Sequence, residues 1–420
     1  SMEDIFQDVD NIILPGMTHW QSRNFFAYFP SNASYASLLG EMMATAMGAQ
    51  CMIWETSPAA TELEERVMNW LGEICGIPAS WEGVIQPTAS DATLAAILSA
   101  RERASEYQIN ETGLDGQHRF RVYASSQTHS SIEKGVKIAG LGRQHLVAVE
   151  VDAAFAMKPE ALRAAIEADK AQGYHPLCVI ATLGTTSSTA IDPLQPIAEV
   201  CQEFGIWLHV DAAYGGNALV LPEFHWMLAG IELADSLVMN PHKWLFTHFD
   251  CSAYFVKDTA ALVRTFEIQP EYLKTAADQR VNNYRDWGIP LGRRFRALKL
   301  WFVLRHFGVD GLREKIQFHN QQAQAFGQWV QDHPDFEVMA PISMNLVCFR
   351  FAKSGVPDLD AFNAELVARL NGSGKMYLTH TKLHGTYVLR FVPGATRLQA
   401  SDVQAAWQLI LDTADELAGA

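Results

Sequence analysis

The fold is decided by four consecutive segments, KPEALRAAIEADKAQGY (158–174), LCVIATLG (177–184), PLQPIAEVCQEFG (193–205) and WLHVDAA (207–213). The first has the apolar spacing of an amphipathic helix, and the third predicts a helix with proline near its start and Gly205 at its end. The second and fourth are short apolar runs without alternation, typical of strands buried on both faces. Such strands separated by helices predict an α/β fold with a mainly parallel central sheet covered by helices on both faces.

The same alternation extends in both directions along the chain. Helices are predicted at 60–75, 89–107 and 129–141, and strands at 120–125, 145–151 and 236–240. The pattern changes in the last hundred residues. There a long helix (308–332) is followed by short strands and two further helices, which is typical of a compact α+β unit. We therefore divide the chain into an N-terminal arm with an aromatic segment (1–35), a large domain (36–307) and a small C-terminal α+β domain (308–420).

Composition excludes several classes of partner. The chain has 420 residues, 49% hydrophobic and 19% charged, with a formal net charge of −15. That charge, with no run of lysine and arginine, argues against nucleic acid or an anionic membrane surface as the partner. No apolar run approaches the roughly 18–20 residues that span a bilayer. The six cysteines form no CxxC pair, so we expect reduced, buried thiols and a cytoplasmic protein.

Three chemically distinctive groups follow strands of the predicted sheet. Asp211 comes after WLHV, Lys243 lies in NPHKW after SLVM, and Thr88 and Ser90 open the helix that begins near Ala89. Each alone is equally typical of a turn residue, a surface lysine or a helix N-cap. Together they suit pyridoxal phosphate (PLP): helix N–H groups and hydroxyls for a phosphate, a carboxylate for the pyridine nitrogen, and a shielded lysine for a Schiff base. We expect no metal.

Seven motifs then carry a family resemblance. They are SPAATELE (57–64), TASDATL (88–94), THSSIEKG (128–135), ATLGTTSS (181–188), HVDAAYGG (209–216), NPHKW (240–244) and IPLGRRFRALKLWF (289–302). In this order they resemble the group II PLP-dependent decarboxylases, most closely the aromatic-L-amino-acid decarboxylases. The resemblance implies a PLP-dependent transferase-like fold of the type I, aspartate aminotransferase-like kind. It also implies a homodimer with active sites at the interface.

The resemblance assigns a role to each matching residue. It implies that Lys243 carries PLP as a Schiff base, that Asp211 pairs with the pyridinium and that His129 stacks on the cofactor ring. Tyr272, on a lid at 264–290, is implied as the proton donor. The implied cofactor contacts also include Thr88, Ala89, Ser90, Thr186, Ala213, Asn240, His242 and, from the partner subunit's copy, Gly292. The implied substrate pocket comprises Trp20, Tyr28, Phe29, Pro30, Ser31 and, again across the dimer, Met52.

The implied reaction is decarboxylation of an aromatic L-amino acid to its amine, and the choice among DOPA, tyrosine, tryptophan and 5-hydroxytryptophan stays open. Related aldehyde synthases typically replace the tyrosine with phenylalanine, and some replace the stacking histidine with asparagine; Tyr272 and His129 are both present here. Three rival functions are an aldehyde synthase of the same fold and cofactor, a decarboxylase for an aliphatic or acidic amino acid, and a non-catalytic PLP-binding or purely structural protein. Arg390 matches an arginine that binds the substrate carboxylate in other enzymes of this fold, and here we expect it in a structural salt bridge.

Overall fold

A computed structural model describes residues 1–31, 33–116, 118–268 and 280–419 of the chain. A seven-stranded sheet in the order β1-β7-β6-β5-β4-β2-β3 lies at its centre. Its strands are β1 (Glu82–Gln86), β2 (Phe120–Ser125), β3 (Leu146–Val149), β4 (His175–Thr182), β5 (Trp207–Asp211), β6 (Ser236–Met239) and β7 (Ser252–Val256). All neighbouring strands pair in parallel except β7, which is antiparallel to both β1 and β6. The predicted mainly parallel sheet is confirmed.

Helices cover both faces of this sheet. The α-helices of the whole described part of the chain are α1 (Met2–Asp8), α2 (Tyr35–Met47), α3 (Pro58–Cys75), α4 (Ala89–Ala104), α5 (Ile109–Thr112), α6 (Ser130–Ile138), α7 (Pro159–Ala171), α8 (Leu194–Phe204), α9 (Pro241–Trp244), α10 (Thr259–Phe266), α11 (Arg296–Asp332), α12 (Leu359–Gly372) and α13 (Ala400–Ala418). α8 ends where predicted, because Gly205 adopts a left-handed conformation (φ 69°) that few other residues tolerate. All residues of β5 are buried, including His209 and Asp211, as expected for a strand covered on both faces.

The register of the parallel strands brings the ends of three of them together. Thr182 at the end of β4 pairs with Asp211 at the end of β5, and Asp211 pairs with Val238 near the end of β6. The loops that follow these strands therefore leave the sheet at one edge, where ligands bind in sheets of this kind.

The C-terminal part builds a second, antiparallel sheet in the order β10-β11-β9-β8. Its strands are β8 (Phe336–Val338), β9 (Val347–Phe351), β10 (Thr379–Leu383) and β11 (Thr386–Phe391). α12 and α13 complete its core. Gly308 interrupts α11 with a non-helical backbone (φ 65°, ψ 176°), and this break coincides with the predicted boundary at 307/308. The division into domains itself stays a prediction.

The N-terminal arm packs on the small sheet. The Phe26 ring stacks on Phe391 with centroids 4.3 Å apart, and Phe25 forms a β-bridge with Tyr377. All six cysteines are unpaired and buried, as predicted. Within the described ranges no helix is both long and apolar enough to cross a membrane. The same residues contain no cluster of three or more histidine, cysteine or acidic side chains that could hold a metal ion.

Candidate active site

A cavity opens at the edge where β4, β5 and β6 end, between these strands and the first turns of α4 and α6. It is lined by Phe29, Thr88, Ala89, Ser90, His129, Ser131, Thr182, Gly184, Thr186, Asp211, Ala213, Tyr214, Asn240, His242 and Lys243. The structure thus brings together every predicted cofactor contact except Gly292. Ligand sites at this edge of a parallel sheet are common, because strand ends expose side chains from separate segments to one space.

Lys243 and Asp211 both line this cavity. Lys243 belongs to the single helical turn α9 that follows β6, and its side chain is only partly exposed. Burial lowers the pKa of Lys243, while the Asp211 carboxylate acts in the opposite direction. Asp211 Oδ1 accepts a hydrogen bond from the Ala213 N–H (3.0 Å), which orients the carboxylate. The arrangement combines an amine of raised nucleophilicity with a fixed negative charge.

His129 is the N-cap residue of α6, and its hydrogen bonds define its tautomer. Nδ1 accepts the backbone N–H of Ser131 (3.1 Å) and lies 2.8 Å from the Ser131 hydroxyl. Burial, followed by the charge of Lys243, lowers the pKa of His129. The ring is therefore neutral near pH 7 with its proton on Nε2, and it can donate a hydrogen bond from that atom.

Several further hydrogen-bond donors line the same cavity. The His242 Nδ1 accepts the Cys251 N–H (2.8 Å), and burial with the Lys243 charge lowers the pKa of His242 to about 3. This neutral ring therefore carries its proton on Nε2. The Asn240 Oδ1 accepts the Ser252 hydroxyl (2.7 Å), which leaves the amide nitrogen as a donor.

The first turn of α4 adds backbone N–H groups to these donors. The Thr88 hydroxyl donates to the Asp91 carboxylate (2.6 Å) and caps the helix, so that its proton is already used. The backbone N–H groups of Ala89 and Ser90 belong to the first turn, where no intrahelical acceptor exists. Such a helix start suits an anion, with the Ser90 hydroxyl beside it.

The predicted aromatic pocket is only partly assembled. Phe29 lines the cavity and stacks on Tyr214 with centroids 3.6 Å apart. Trp20 and Tyr28 stack on each other at 5.3 Å but lie outside the cavity, and both are exposed. Pro30, Ser31, Met52 and Gly292 also lie outside the cavity lining. Tyr272, the predicted proton donor, lies outside the described residues.

Arg390 differs from its prediction, because it forms no ion pair within the described residues. The buried guanidinium donates from Nε to the Ser187 carbonyl (3.2 Å) and from Nη1 to the Thr379 hydroxyl (3.1 Å). Nη2 donates to the carbonyls of Thr186 (2.9 Å) and Tyr28 (3.4 Å). Among the described residues, hydrogen bonds and not the expected salt bridge hold the guanidinium. The arginine instead joins the loop after β4, the N-terminal arm and the small sheet.

The cavity also contains four residues that the sequence did not predict as site residues: Ser131, Thr182, Gly184 and Tyr214. Each lies within a motif that carries the family resemblance. The only signal for them in the sequence is proximity to the predicted site residues. That signal is insufficient alone, because the motifs do not say which side chains turn toward the cavity.

The fold and the cavity together define a PLP enzyme, and comparison with known proteins narrows the class. Residues 1–352 match the pyridoxal-dependent decarboxylase conserved domain. The chain is 44% identical to a tryptophan decarboxylase of Camptotheca acuminata, over 99% of this chain and 85% of that protein. It is 41% identical to a tyrosine/DOPA decarboxylase of Papaver somniferum, over 100% of this chain and 86% of that protein. The crystal structure of Catharanthus roseus tryptophan decarboxylase in complex with L-tryptophan superimposes with a TM-score of 0.94 at 41% identity, covering 99% and 88% of the two chains.

The chain therefore belongs to the pyridoxal-dependent decarboxylase family. The predicted aspartate aminotransferase-like fold, PLP as the cofactor and carboxy-lyase activity are confirmed.

Proposed function

We propose that this protein decarboxylates an aromatic L-amino acid to the corresponding amine and carbon dioxide, with PLP attached to Lys243. The observation that carries the proposal is the convergence of Lys243, Asp211, His129 and the start of α4 on one cavity, with an aromatic ring in its wall. These groups supply a nucleophile, a fixed anion, a neutral donor and an anion site. They fit the amine-reactive aldehyde, ring nitrogen and phosphate of PLP, which when bound withdraws electrons from the substrate Cα.

Lys243 supplies the amine that attaches the cofactor. Because burial lowers its pKa, more of the amine is neutral and able to react than on an exposed lysine. Asp211 would hold a proton on the ring nitrogen when PLP is bound, and the Ala213 N–H orients its carboxylate. A protonated ring nitrogen is what makes the ring an effective acceptor of electrons.

His129 binds and orients the substrate. Its Nε2–H is a donor fixed by the two contacts that Ser131 makes with Nδ1. We propose that the imidazole lies on the cofactor ring and donates to the carboxylate that is lost. A neutral imidazole orients that group without holding it as an ion pair, which favours release of carbon dioxide.

Neutral N–H donors of the cavity wall would hold the phosphate. His242, Asn240 and the first turn of α4 each offer N–H donors there. The dianion would be stabilised by the positive end of α4 and by these directed hydrogen bonds. We propose the same role for the hydroxyl of Ser90. We propose that Thr88 contacts the phosphate without donating its hydroxyl proton, because the hydroxyl donates that proton to the Asp91 carboxylate.

An aromatic substrate is supported by Phe29 and by the relatives. Phe29 stacks on Tyr214, and its ring centroid lies 5.7 Å from Lys243 Nζ, so a planar side chain bound near the lysine meets an aromatic wall. The similar proteins from Camptotheca and Papaver act on tryptophan, tyrosine or DOPA by name. We propose that the rim of this wall is formed by Trp20, Tyr28, Pro30 and Ser31. We also propose that Tyr272 donates the proton to the substrate Cα.

We also propose a homodimer in which Met52 and Gly292 of one subunit complete the site of the other. The proposal is supported by an apolar face on α2, whose exposed side chains are Tyr35, Leu38, Leu39, Met42, Met43 and Met47. A further exposed apolar group lies on the N-terminal arm, at Met2, Ile5, Phe6, Ile12 and Ile13. Groups of exposed apolar side chains on one helix face are typical of subunit interfaces. We propose a cytoplasmic location from the six unpaired cysteines.

A turnover panel tests the function. Purified holoenzyme is given DOPA, tyrosine, tryptophan, 5-hydroxytryptophan, glutamate and 2,4-diaminobutyrate, and amine, carbon dioxide and hydrogen peroxide are all quantified. We expect amine and carbon dioxide in equal amounts from at least one aromatic substrate. Turnover of the acidic or aliphatic substrates alone would contradict the proposal, and peroxide in place of amine would indicate an aldehyde synthase.

The dimer is tested separately by sedimentation. Wild-type protein is expected at twice the mass of one chain, and Met43→Glu should weaken the association because it places a charge in the apolar face of α2. The control is Lys382→Glu, on the small sheet away from α2. A wild-type monomer with full activity would refute the shared site.

A further inference from the structure

One side chain in the cavity wall has a buried hydroxyl without a partner. Thr182, the last residue of β4, is 4% exposed, and its Oγ1 has no hydrogen-bond partner in the described part of the chain. Among the residues that line the cavity, Thr182 alone has such an orphaned side-chain atom. Its backbone N–H is held by the Asp192 carboxylate (2.7 Å), so the main chain at this position is fixed. A buried hydroxyl that makes no hydrogen bond lowers stability.

The residue paired with Thr182 across the sheet is Asp211. Thr182 and Asp211 are paired residues of the parallel strands β4 and β5. Adjacent strands lie about 4.8 Å apart, and paired residues project from the same face of the sheet. Asp211 accepts one hydrogen bond at Oδ1, from Ala213, whereas a carboxylate offers about four acceptor positions. A donor that lacks an acceptor thus stands beside an acceptor with free positions.

We propose that Thr182 is a positioning residue for Asp211: in the cofactor-loaded enzyme its hydroxyl donates to the Asp211 carboxylate. The inference rests on the proposed role of Asp211 at the cofactor ring nitrogen. With the Ala213 N–H on one side, the ring nitrogen in the cavity and the Thr182 hydroxyl on the neighbouring strand, the carboxylate is held from three directions. Its charge and direction are then fixed during turnover, and the Thr182 hydroxyl gains the acceptor that no described residue supplies.

Two variants at this position separate the hydroxyl from the shape of the side chain. Thr182→Val removes the hydroxyl at nearly constant volume, and Thr182→Ser keeps it. For Val we expect PLP to bind about tenfold more weakly, as for loss of one hydrogen bond to a charged group. The thermal midpoint of the cofactor-free Val protein should be unchanged or higher, because an unsatisfied buried group has been removed. Ser should bind PLP within about threefold of wild type.

A spectroscopic measurement and a matched control complete the design. The pH at which the visible band of the bound cofactor titrates should shift in the Val variant and not in the Ser variant, because only Val alters the environment of Asp211. Thr61→Val is the control: Thr61 is also buried with an unpartnered hydroxyl, but it lies in α3 outside the cavity lining. It should leave PLP affinity and the band unchanged.

The outcomes that overturn the inference are distinct from failure of the proposed function. Wild-type affinity in Thr182→Val, equal losses in Val and Ser, or a fall in the stability of the cofactor-free Val protein would each refute the positioning role. Asp211→Asn is measured in parallel. If it binds PLP with wild-type affinity and spectrum, the proposed role of Asp211 fails. If Asp211→Asn weakens binding and Thr182→Val does not, only the role of Thr182 fails.

Discussion

Arg390→Lys is expected to damage the active site although it keeps the positive charge. Arg390 holds four acceptors at once: the carbonyls of Ser187, Thr186 and Tyr28 and the hydroxyl of Thr379. A lysine presents its donors from one nitrogen instead of a planar fork. It cannot serve acceptors that lie on three separate segments. The carbonyls of Thr186 and Tyr28, for which Arg390 is the donor among the described residues, are expected to lose their partner.

The magnitude follows from these lost bonds. Each buried acceptor left without a donor costs about 1–3 kcal/mol, so for two acceptors we expect a destabilisation of roughly 2–6 kcal/mol. With an unfolding entropy of about 2.1 cal/mol/K per residue, this corresponds to a fall in Tm of about 2–7 °C. Thr186 lines the cavity, and the Tyr28 carbonyl precedes Phe29. A small displacement of both is expected to lower kcat/KM about 10- to 100-fold.

The assay compares kcat, KM and PLP affinity at a temperature well below the melting transition of both proteins. PLP affinity should stay within about threefold of wild type, because Arg390 contacts none of the groups at the start of α4. Arg350→Lys is the matched control, since Arg350 is also a buried arginine of the small domain but pairs with Asp360 (3.3 Å) away from the cavity. Wild-type kcat/KM in Arg390→Lys, or an equal loss in Arg350→Lys, would refute the reasoning.

Three further predictions concern charge, pH and the proton donor. Asp211→Asn should lower kcat by about 100-fold or more while leaving the fold intact, as for removal of a key electrostatic contact, measured by steady-state turnover and circular dichroism. Burial lowers the pKa of His209 to about 4 and of His242 and His319 to about 3. Below about pH 6.5 the unfolded chain binds protons at these three histidines and the folded chain does not. The free energy of unfolding should therefore fall with decreasing pH, by up to about 4 kcal/mol per pH unit. Urea unfolding midpoints measured between pH 7 and 4.5 check this. Tyr272→Phe should reduce amine and release aldehyde, ammonia and peroxide in air; amine formation at the wild-type rate would show that another group donates the proton.

Most of the large domain could be predicted from the sequence, because its strands and helices alternate with clear apolar patterns. The helix at 158–174 and the strand at 120–125 agree with α7 and β2 within a few residues. β7 was not predicted. It follows β6 through the loop that contains Lys243 rather than through a full helix, and it enters the sheet antiparallel between β1 and β6. A pattern based on strand–helix alternation has no signal for such a strand.

The site was predictable where motifs follow strands, and less so where separate segments meet. Lys243, Asp211 and His129 were predicted from local motifs and do line one cavity. The partners of Arg390 come from residues 28, 186, 187 and 379, and their approach depends on packing of the arm and the small sheet. The unpartnered hydroxyl of Thr182 depends on strand register, which no single motif specifies. Local sequence gives the reacting groups, whereas tertiary packing decides what positions them.

Attachment of the cofactor to Lys243 is the claim on which the rest depends. The holoenzyme is treated with borohydride, which makes an imine bond permanent, then digested and mapped by mass spectrometry. We predict a phosphopyridoxyl group on the peptide that contains NPHKW, at Lys243, in an amount equal to the bound PLP. Lys243→Ala should give no label at any position and no steady turnover. A label on another lysine, or a Lys243→Ala protein that is labelled and active, would contradict the account.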